Sequence, residues 1–386
     1  MGWGVTAVAL VCVALSAGFE WRRWKGSPKP TIAAVVEQAA GASTHPSATA
    51  KVRLVPQAAD LVPMPPGVPA AHASALAVLP NDEMLAFWWA GTRESGADVR
   101  VYVSRWKQGR WTPAQAVVDR QSLGAQLGFA VRRIGNPAAW VAPDGRVHLY
   151  VVATGLGGWA AGRVVQLVST DQGRHFEARR VLPLTPLFNT SVLVRTTPIG
   201  LADGGWLLPA YFELGNKYPL LMSFDGSGAP RWLVRIGNLT TSLQPALVAV
   251  NGLEMRALMR DIGKQRRMQQ AISRDAGETW NDLPPSEVVN HDSSVAALRL
   301  KDGGFAMLHN DILPNGGSPR QWLRLSTSRD AQQWSSSVDV LLGQPGDEFS
   351  YPSVQQVGQQ LHVTFTSQRK AIAHHVFDIR YEEPTR

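Results

Sequence analysis

The sequence is organised by a short motif that recurs through the chain. Its fullest copy spans residues 271–280, where Ser273, Asp275, Gly277 and Trp280 follow an apolar run. Asp can bind the backbone of a tight turn, Gly accepts a positive φ, and Trp covers the apolar base of a hairpin. Related and weaker copies span 104–111, 169–176, 223–232 and 328–334. Their first serines are 65, 54, 50 and 55 residues apart, which is typical of a repeat architecture.

A second repeat consists of paired apolar strands joined by a polar turn. Its six turns lie at 81–82, 144–145, 203–204, 251–252, 302–303 and 358–359. Asn-Gly and Asp-Gly are strong hairpin signals, and two hairpins per unit make a four-stranded antiparallel sheet. Six such sheets predict an all-β fold, a six-bladed β-propeller over residues 70–386. A two-sheet β-sandwich is the alternative, but it does not explain so regular a period.

The region before residue 70 differs in composition. Residues 3–19 are apolar and basic residues follow them, so 1–25 are interpreted as a hydrophobic signal or anchor segment. Residues 26–69 are rich in Ala, Pro, Ser and Thr, which favours a linker, although 51–61 could form one strand. We expect the segment before residue 72 to supply the outer strand of the last blade. The positive-inside rule would leave the body in the cytoplasm. We nevertheless favour an exported protein, periplasmic or extracellular, with 3–19 as a candidate membrane tether.

The composition excludes several function classes. The net charge is +8, but the basic residues are scattered without an aromatic-interleaved stripe, so no nucleic-acid partner is expected. The only cysteine is Cys12, in the apolar segment, which leaves the body without a disulfide or thiol nucleophile. Metal-ligand spacings are absent, so no metal or organic cofactor is expected. We expect a monomer.

Polar residues cluster at the strand ends that a propeller would gather at one mouth of its channel. So many convergent polar positions predict a binding funnel. Before the first strand of each unit they are His72, Asn136, Arg195, Gln244, His291, Asp292 and Tyr351, and after the second strand they are Arg93, Glu94, Asp98, Glu213, Arg260, Asp261, Asn310, Asp311 and Gln368.

The Ser-x-Asp-x-Gly-x-x-Trp hairpins resemble Asp boxes, and the six-fold arrangement resembles the sialidases (neuraminidases). Asp boxes are structural and identify the fold better than the chemistry. The resemblance implies an exo-glycoside hydrolase that removes a terminal, acidic, sialic-acid-like sugar from a glycan. Sialidases clamp the substrate carboxylate with three arginines, use an Asp as acid/base, and use a Tyr nucleophile assisted by a Glu, an exception to the two-carboxylate scheme.

Motif context carries these roles onto particular positions. The resemblance makes Tyr351, in F-S-Y-P-S-V, the nucleophile and Asp98, in T-R-E-S-G-A-D, the acid/base. It makes Arg260 and Arg320 two of the clamp arginines, with Arg93 as a further contact. The remaining candidate substrate-binding residues are His72, Asn136, Arg195, Asp292 and Asn310.

Two departures from the family pattern leave alternatives open. His72 stands where the first arginine is expected, and a protonated histidine could still hold an acidic sugar. Gln244 stands where the glutamate is expected, and an amide cannot accept the phenolic proton as a carboxylate would. Glu213 or His72 could take over that task. The alternatives are a non-catalytic carbohydrate-binding propeller and a hydrolase for a neutral or uronic sugar.

Overall fold

A computed structural model describes residues 4, 6–15, 32, 51–185, 189–314 and 316–382. Residues 6–15 are helical. No helix in the described part of the chain is both long enough and apolar enough to cross a membrane. The rest of residues 1–31, where the anchor segment is predicted, lies outside the described residues.

The described chain forms six antiparallel sheets, each with at least four strands, in a six-bladed β-propeller as predicted. The first three blades contain β2 (Ala70–Val78), β3 (Met84–Gly91), β4 (Arg100–Lys107), β5 (Arg110–Trp111) and β6 (Gln115–Asp119); β7 (Arg133–Val141), β8 (Val147–Thr154), β9 (Gly162–Ser169) and β10 (Glu177–Val181); and β11 (Val192–Val194), β12 (Ile199–Gly200), β13 (Trp206–Phe212), β14 (Tyr218–Phe224) and β15 (Pro230–Arg235).

The last three blades follow the same order. They contain β16 (Ser242–Ala249), β17 (Met255–Asp261), β18 (Gln269–Ser273) and β19 (Asn281–Leu283); β20 (Ala296–Arg299), β21 (Phe305–Asp311), β22 (Trp322–Ser328) and β23 (Ser335–Leu342); and β24 (Phe349–Val357), β25 (Gln360–Ser367), β26 (Ala371–Glu382) and β1 (Lys51–Val62).

Strand β1 closes the ring by pairing antiparallel with β26, from Lys51 against Glu382 to Val62 against Ile372. The predicted linker over 26–69 therefore ends in a strand of the propeller, and a domain boundary at residue 70 would separate β1 from its own sheet. Upstream, Ile32 is also fully buried, and it forms an antiparallel bridge with Leu201.

The hydrophobic core lies between neighbouring blades. Strand β3 reads M-L-A-F-W-W-A-G and is buried along its whole length, since blades pack on both faces of each sheet. Phe87 and Trp89 of blade 1 share one cluster with Leu149 and Leu167 of blade 2. This continuous packing gives the inner strands fixed positions around the channel.

The hairpin motifs form as their sequence predicts. In blade 2, the Ser169 hydroxyl donates to Asp171 Oδ1 at 2.7 Å and accepts the Gly173 N–H at 2.8 Å. Gly173 has φ 85°, the left-handed conformation that favours glycine. In blade 4, Ser273, Asp275 and Gly277 repeat these bonds, and Trp280 Nε1 donates to the Gly277 carbonyl.

One helix was not predicted. Between blades 1 and 2, α1 (Arg120–Leu127) begins at Asp119, whose carboxylate accepts the N–H groups of Gln121 and Ser122. This is a capping box, and it stabilises a short helix in which the apolar residues show little helical periodicity. Leu123 is its buried contact with the core.

Candidate active site

A β-bulge recurs near the start of the first strand in four blades. In each, two residues oppose one on the neighbouring strand, and the first has a positive φ: 59° at Ala73, 38° at Asn136, 50° at Gln244 and 53° at Tyr351. Such a conformation costs a non-glycine residue about 1 kcal/mol or more, and these outliers concentrate at functional sites. The bulge interrupts the alternation of side chains between the two faces of the sheet and so changes the direction of these four side chains.

The bulges correct the predicted register of blade 1. His72 pairs with Trp89 inside the ladder, and the next residue, Ala73, takes the bulged position that Tyr351 takes in blade 6. The methyl group of Ala73 therefore occupies the place assigned to His72 in the family pattern. No charged side chain enters the site from this position.

Tyr351 lies at the centre of the converging side chains and is half-buried. Arg260 Nη1 donates to its hydroxyl at 3.4 Å, a long hydrogen bond. The guanidinium groups of Arg195 and Arg320 lie 5.3 Å and 5.7 Å from the centre of its ring, and the His72 ring lies 4.2 Å away. Three arginines thus surround the proposed nucleophile.

Two of these arginines are held by carboxylates. Arg260 Nε donates to Asp292 at 2.6 Å and its Nη1 donates to the Gln244 side-chain oxygen at 3.3 Å. Arg320 Nη1 donates to Glu348 at 2.9 Å. Each guanidinium keeps N–H groups that bond to no described residue, and these can bind a ligand carboxylate.

The charges of the site shift several pKa values. Burial disfavours the cation of Arg260, but electrostatic interaction with the Tyr351 side chain and the hydrogen bond and charge of Asp292 outweigh burial and raise the Arg260 pKa. Burial also opposes ionisation of Glu348, yet hydrogen bonds from Arg369 and Arg320 lower its pKa to about 2. Both side chains are therefore charged at neutral pH.

His72 is neutral at neutral pH. It is 2 % exposed, and burial followed by the positive charge of Arg369 holds its pKa well below the ordinary value; Arg320 and Arg195 act in the same direction. The low pKa disfavours a protonated His72 at neutral pH, and contact of His72 with an acidic sugar stays a prediction. Its Nδ1 has no hydrogen-bond partner in the described chain.

A second tyrosine, not predicted, lies at the same mouth. Tyr211, on β13, is 1 % exposed, and its hydroxyl oxygen accepts N–H groups from Gln244 at 3.2 Å and from Asn136 at 3.3 Å. Burial, followed by negative charge at Glu213, raises its pKa. Tyr211 therefore stays protonated, and Gln244 connects it to Arg260.

The predicted acid/base is engaged in its own loop. Asp98 is exposed, and its carboxylate accepts the Thr92 N–H at 2.7 Å and the Thr92 hydroxyl at 2.8 Å. Burial raises the Asp98 pKa, but these bonds outweigh burial and lower it, so the carboxylate is ionised at neutral pH. Arg93, on the same loop, is exposed and bonds to no described side chain. The loop is fixed to blade 6 by the ion pair of Glu94 with Arg369.

Three other predicted residues, Asn310, Arg195 and Glu213, are in contact with neighbouring protein groups. Asn310 is 3 % exposed, and its amide donates to the Phe349 carbonyl at 2.8 Å, so it links blade 5 to blade 6. The predicted contact of Asn310 with substrate stays a prediction. Arg195 is 2 % exposed and lies against the ring of Tyr351, and its predicted contact with substrate stays a prediction. Glu213 pairs with Lys217 at 3.6 Å, beside Tyr211.

The opposite end of the channel is largely aliphatic. A cavity of about 490 Å³ there is lined by the far ends of the inner strands, including Val78, Val141, Ile199, Val248 and Val354. Thr197, Arg299 and Gln355 also line this cavity, but no described carboxylate, tyrosine or histidine does. We therefore place the candidate chemistry at the Tyr351 end, where such groups converge.

Three residues of the site were not predicted, although each lies near a predicted position in the sequence. Tyr211 precedes Glu213 by two residues, at the same strand end. Glu348 precedes Tyr351 by three, and Arg369 follows Gln368. Each lies within three residues of a position that was predicted.

Comparison with known proteins identifies the family. The family model of the BNR repeat-like domain matches residues 82–363, most of the chain. The chain belongs to this family. The predictions of a BNR-repeat protein of the sialidase superfamily and of a six-bladed β-propeller fold are thereby confirmed. No curated protein matches the sequence.

Solved structures of similar fold include sialidases. A protein of unknown function from Dyadobacter fermentans is 14 % identical, with a TM-score of 0.66 over 85 % of this chain and 99 % of that chain. A Hadza microbial sialidase is 14 % identical, with a TM-score of 0.65 over 82 % and 66 %. Trypanosoma rangeli sialidase in complex with sialic acid is 15 % identical, with a TM-score of 0.60 over 88 % and 60 %. This BNR-repeat chain thus spans about two thirds or less of the two sialidases.

Proposed function

We propose that this BNR-repeat protein is an exo-glycoside hydrolase that removes a terminal, acidic, sialic-acid-like sugar from a glycan outside the cytoplasm. Family membership and the sialidase fold support a glycoside hydrolase. One observation carries the proposal: Tyr351 sits on a strained bulge with Arg260 at its hydroxyl and Arg320 against its ring. A tyrosine beside two arginines suits a substrate that carries a carboxylate next to its reacting carbon.

In the proposed reaction, the free N–H groups of Arg260 and Arg320 bind the substrate carboxylate. The Tyr351 oxygen forms a bond to the anomeric carbon and gives its phenolic proton to solvent water, while the bond to the leaving oxygen breaks and Asp98 gives that oxygen a proton. Water then attacks the same carbon and gives one proton to Asp98, and Tyr351 leaves as the phenolate and takes a proton back from solvent. Gln244 fixes Arg260 and Tyr211 in this arrangement.

The reaction requires Asp98 to be protonated before the leaving group departs. Its two hydrogen bonds from Thr92 favour the ionised form, so the loop must rearrange when substrate binds. The same observation, together with Gln244 in place of a glutamate, favours a second candidate function: binding of an acidic sugar without its hydrolysis.

The test is the variant Tyr351→Phe, which keeps the ring and loses the nucleophilic oxygen. We expect it to lower turnover of fluorogenic sialosides and other ulosonic-acid glycosides by about 10³-fold or more, with ligand binding retained. Tyr218→Phe is the matched control, because the Tyr218 ring packs against Phe212 and Arg235 and its hydroxyl bonds to no described residue. We expect this variant to have normal turnover. Normal turnover by Tyr351→Phe would remove the nucleophile assignment. Saturable binding without turnover by the unaltered protein would establish the second candidate.

A further inference from the structure

The loop that carries Asp98 is held together by its own hydrogen bonds. It spans residues 92–99, between the paired strands β3 and β4, and we name it the Asp98 loop. Inside it, the Gly96 N–H donates to the Arg93 carbonyl at 3.0 Å, in addition to the two bonds from Thr92 to the Asp98 carboxylate. Because these bonds join the loop to itself, the loop can move as one piece about its two adjacent ends.

Contacts with other elements hold the Asp98 loop from outside. A hydroxyl and a carbonyl of the loop accept hydrogen bonds from Trp159 of blade 2 at 3.0 Å and from Arg120 of α1 at 2.8 Å. A further contact is the ion pair of Glu94 with Arg369 of blade 6. This ion pair joins the loop to the arginines of the mouth.

Arg369 is shared between the Asp98 loop and the mouth. Its Nε donates to Glu348 at 2.8 Å and its Nη1 donates to Glu94, while its Nη2 bonds to no described residue. The other oxygen of Glu348 accepts a hydrogen bond from Arg320 at 2.9 Å, so Arg320 and Arg369 lie on the two oxygens of one carboxylate. An anion that binds Arg320 from the mouth is therefore close to Arg369 as well.

The two carboxylate partners of Arg369 differ in how firmly they are held. The side chains of Glu94 and Arg369 are 46 % and 44 % exposed, and an exposed ion pair contributes little free energy. The Glu348 side chain is 25 % exposed, and Arg320 and the Ser350 hydroxyl also bond to it. Arg369 therefore exchanges Glu94 more readily than Glu348. A ligand carboxylate offers the guanidinium the same acceptor oxygens as Glu94 does.

We propose that Glu94 is a positioning residue, that its ion pair with Arg369 holds the Asp98 loop at rest, and that an acidic sugar entering the mouth replaces Glu94 on Arg369. The exchange releases the loop from blade 6. The released loop can then give up the bonds between Thr92 and Asp98, as the proposed reaction requires. This catalytic meaning rests on the proposed hydrolase function, but the exchange of partners on Arg369 is measurable without turnover.

The first experiment measures hydrogen exchange by mass spectrometry in peptides that cover 92–99 of the full chain. Without ligand, we expect Glu94→Gln to raise the exchange rate there by about 5-fold or more, because the loop has lost its contact with blade 6. Saturating N-acetylneuraminic acid should raise the rate similarly in the unaltered protein and add little in Glu94→Gln. Glu382→Gln is the matched control, since Glu382 is 49 % exposed in an ion pair with Arg53 and should leave exchange over 92–99 unchanged.

The second experiment measures the affinity for N-acetylneuraminic acid by calorimetry. The unaltered protein must break the ion pair of Glu94 with Arg369 before the sugar binds Arg369, and Glu94→Gln has no such pair to break. We therefore expect Glu94→Gln to bind the sugar more tightly by about 3-fold or more, and Arg369→Gln to bind it more weakly. A purely structural role of Glu94 would not tighten binding when the residue is replaced.

Two results would overturn the proposal: ligand-free exchange over 92–99 that is unchanged in Glu94→Gln, or ligand binding that Glu94→Gln does not tighten. If the unaltered protein cleaves sialosides, the hydrolase function survives either result. Faster exchange and tighter binding in a protein that cleaves no glycoside would support the exchange of partners on Arg369 and count against the hydrolase.

Discussion

At the scale of single residues, the charge network around Glu348 holds the mouth of the channel in shape. Glu348 accepts hydrogen bonds from Arg320 at 2.9 Å, from Arg369 at 2.8 Å and from the Ser350 hydroxyl at 3.0 Å. Through Arg369 and Glu94 the network reaches the loop that carries Asp98. One carboxylate thus positions both a candidate clamp arginine and the loop of the candidate acid.

This network predicts a defined dependence of stability on pH. The Glu348 pKa is lowered to about 2 in the folded chain, from 4.5, so its contribution is present above about pH 4.5 and is lost as pH falls toward 2. We expect Glu348→Gln to lower the unfolding free energy at neutral pH by about 2 kcal/mol. The difference from the unaltered protein should shrink across that acid range, as measured by denaturant unfolding.

The control for this variant is Glu287→Gln. Glu287 is 99 % exposed and pairs with Arg267 at 3.5 Å, so its loss should change stability little at any pH. Equal costs for the two variants would show that Glu348 is no more than a surface ion pair. A cost that persists unchanged at the acid end would show that its carboxylate is not the source of the stability.

Sequence reasoning could reach some of these residues and not others. Tyr351, Arg260 and Arg320 could be predicted because blade order and motif context place them at strand ends. The register of His72 and Ala73 could not, since a bulge of one residue leaves no mark in an apolar run. Burial of Arg195 beneath Tyr351 depends on contacts between three blades, and no pattern within one blade reveals it.

At the scale of the elements, side chains of the Asp-box hairpin accept hydrogen bonds from backbone N–H groups of the same hairpin. In blade 4 the Ser273 hydroxyl accepts the Gly277 N–H at 2.9 Å, and the Asp275 carboxylate accepts the Thr279 N–H at 2.9 Å. Buried polar groups left unpaired cost about 1–3 kcal/mol each. The spacing of the motif could be recognised in the sequence because every bond in it is local.

We expect Ser273→Ala to lower the unfolding free energy by about 1–2 kcal/mol, because the Gly277 N–H loses its partner. Ser104→Ala is the comparison: Ser104 donates to the Thr112 carbonyl at 2.6 Å in a hairpin without the Asp, so a smaller loss is expected. Glycosidase turnover or ligand binding should stay unchanged in both, since the hairpins lie away from Tyr351. A loss of function without a loss of stability in Ser273→Ala would contradict a structural role.

At the scale of the whole molecule, the two ends of the ring are joined by β1. Its Val52 and Leu54 pack in one cluster with Phe377 and Ile379 of β26. The period of the hairpins could predict six blades. The extent of β1 was harder to predict because its residues 57–61 are largely exposed, and the pairing partner is more than three hundred residues away.

Two truncations test this closure. A chain beginning at Lys51 keeps β1 but loses the buried contact of Ile32, so it should unfold cooperatively with a modestly lower melting temperature than the full chain. A chain beginning at Met64 lacks β1, leaves the edge of β26 unpaired and exposes its apolar partners, so we expect a lower melting temperature and aggregation. Calorimetry of the two chains gives the comparison. Equal melting temperatures would show that the ring does not depend on β1.

The repeated bulge has a consequence for how such a protein can change its substrate. The backbone at Ala73, Asn136, Gln244 and Tyr351 adopts one conformation with four unrelated side chains, so that conformation does not depend on which side chain is present. Single substitutions at these positions can therefore alter charge, size or reactivity at the mouth while the sheets stay intact. Variation at these four positions can therefore change what the mouth of the channel binds without a change of fold.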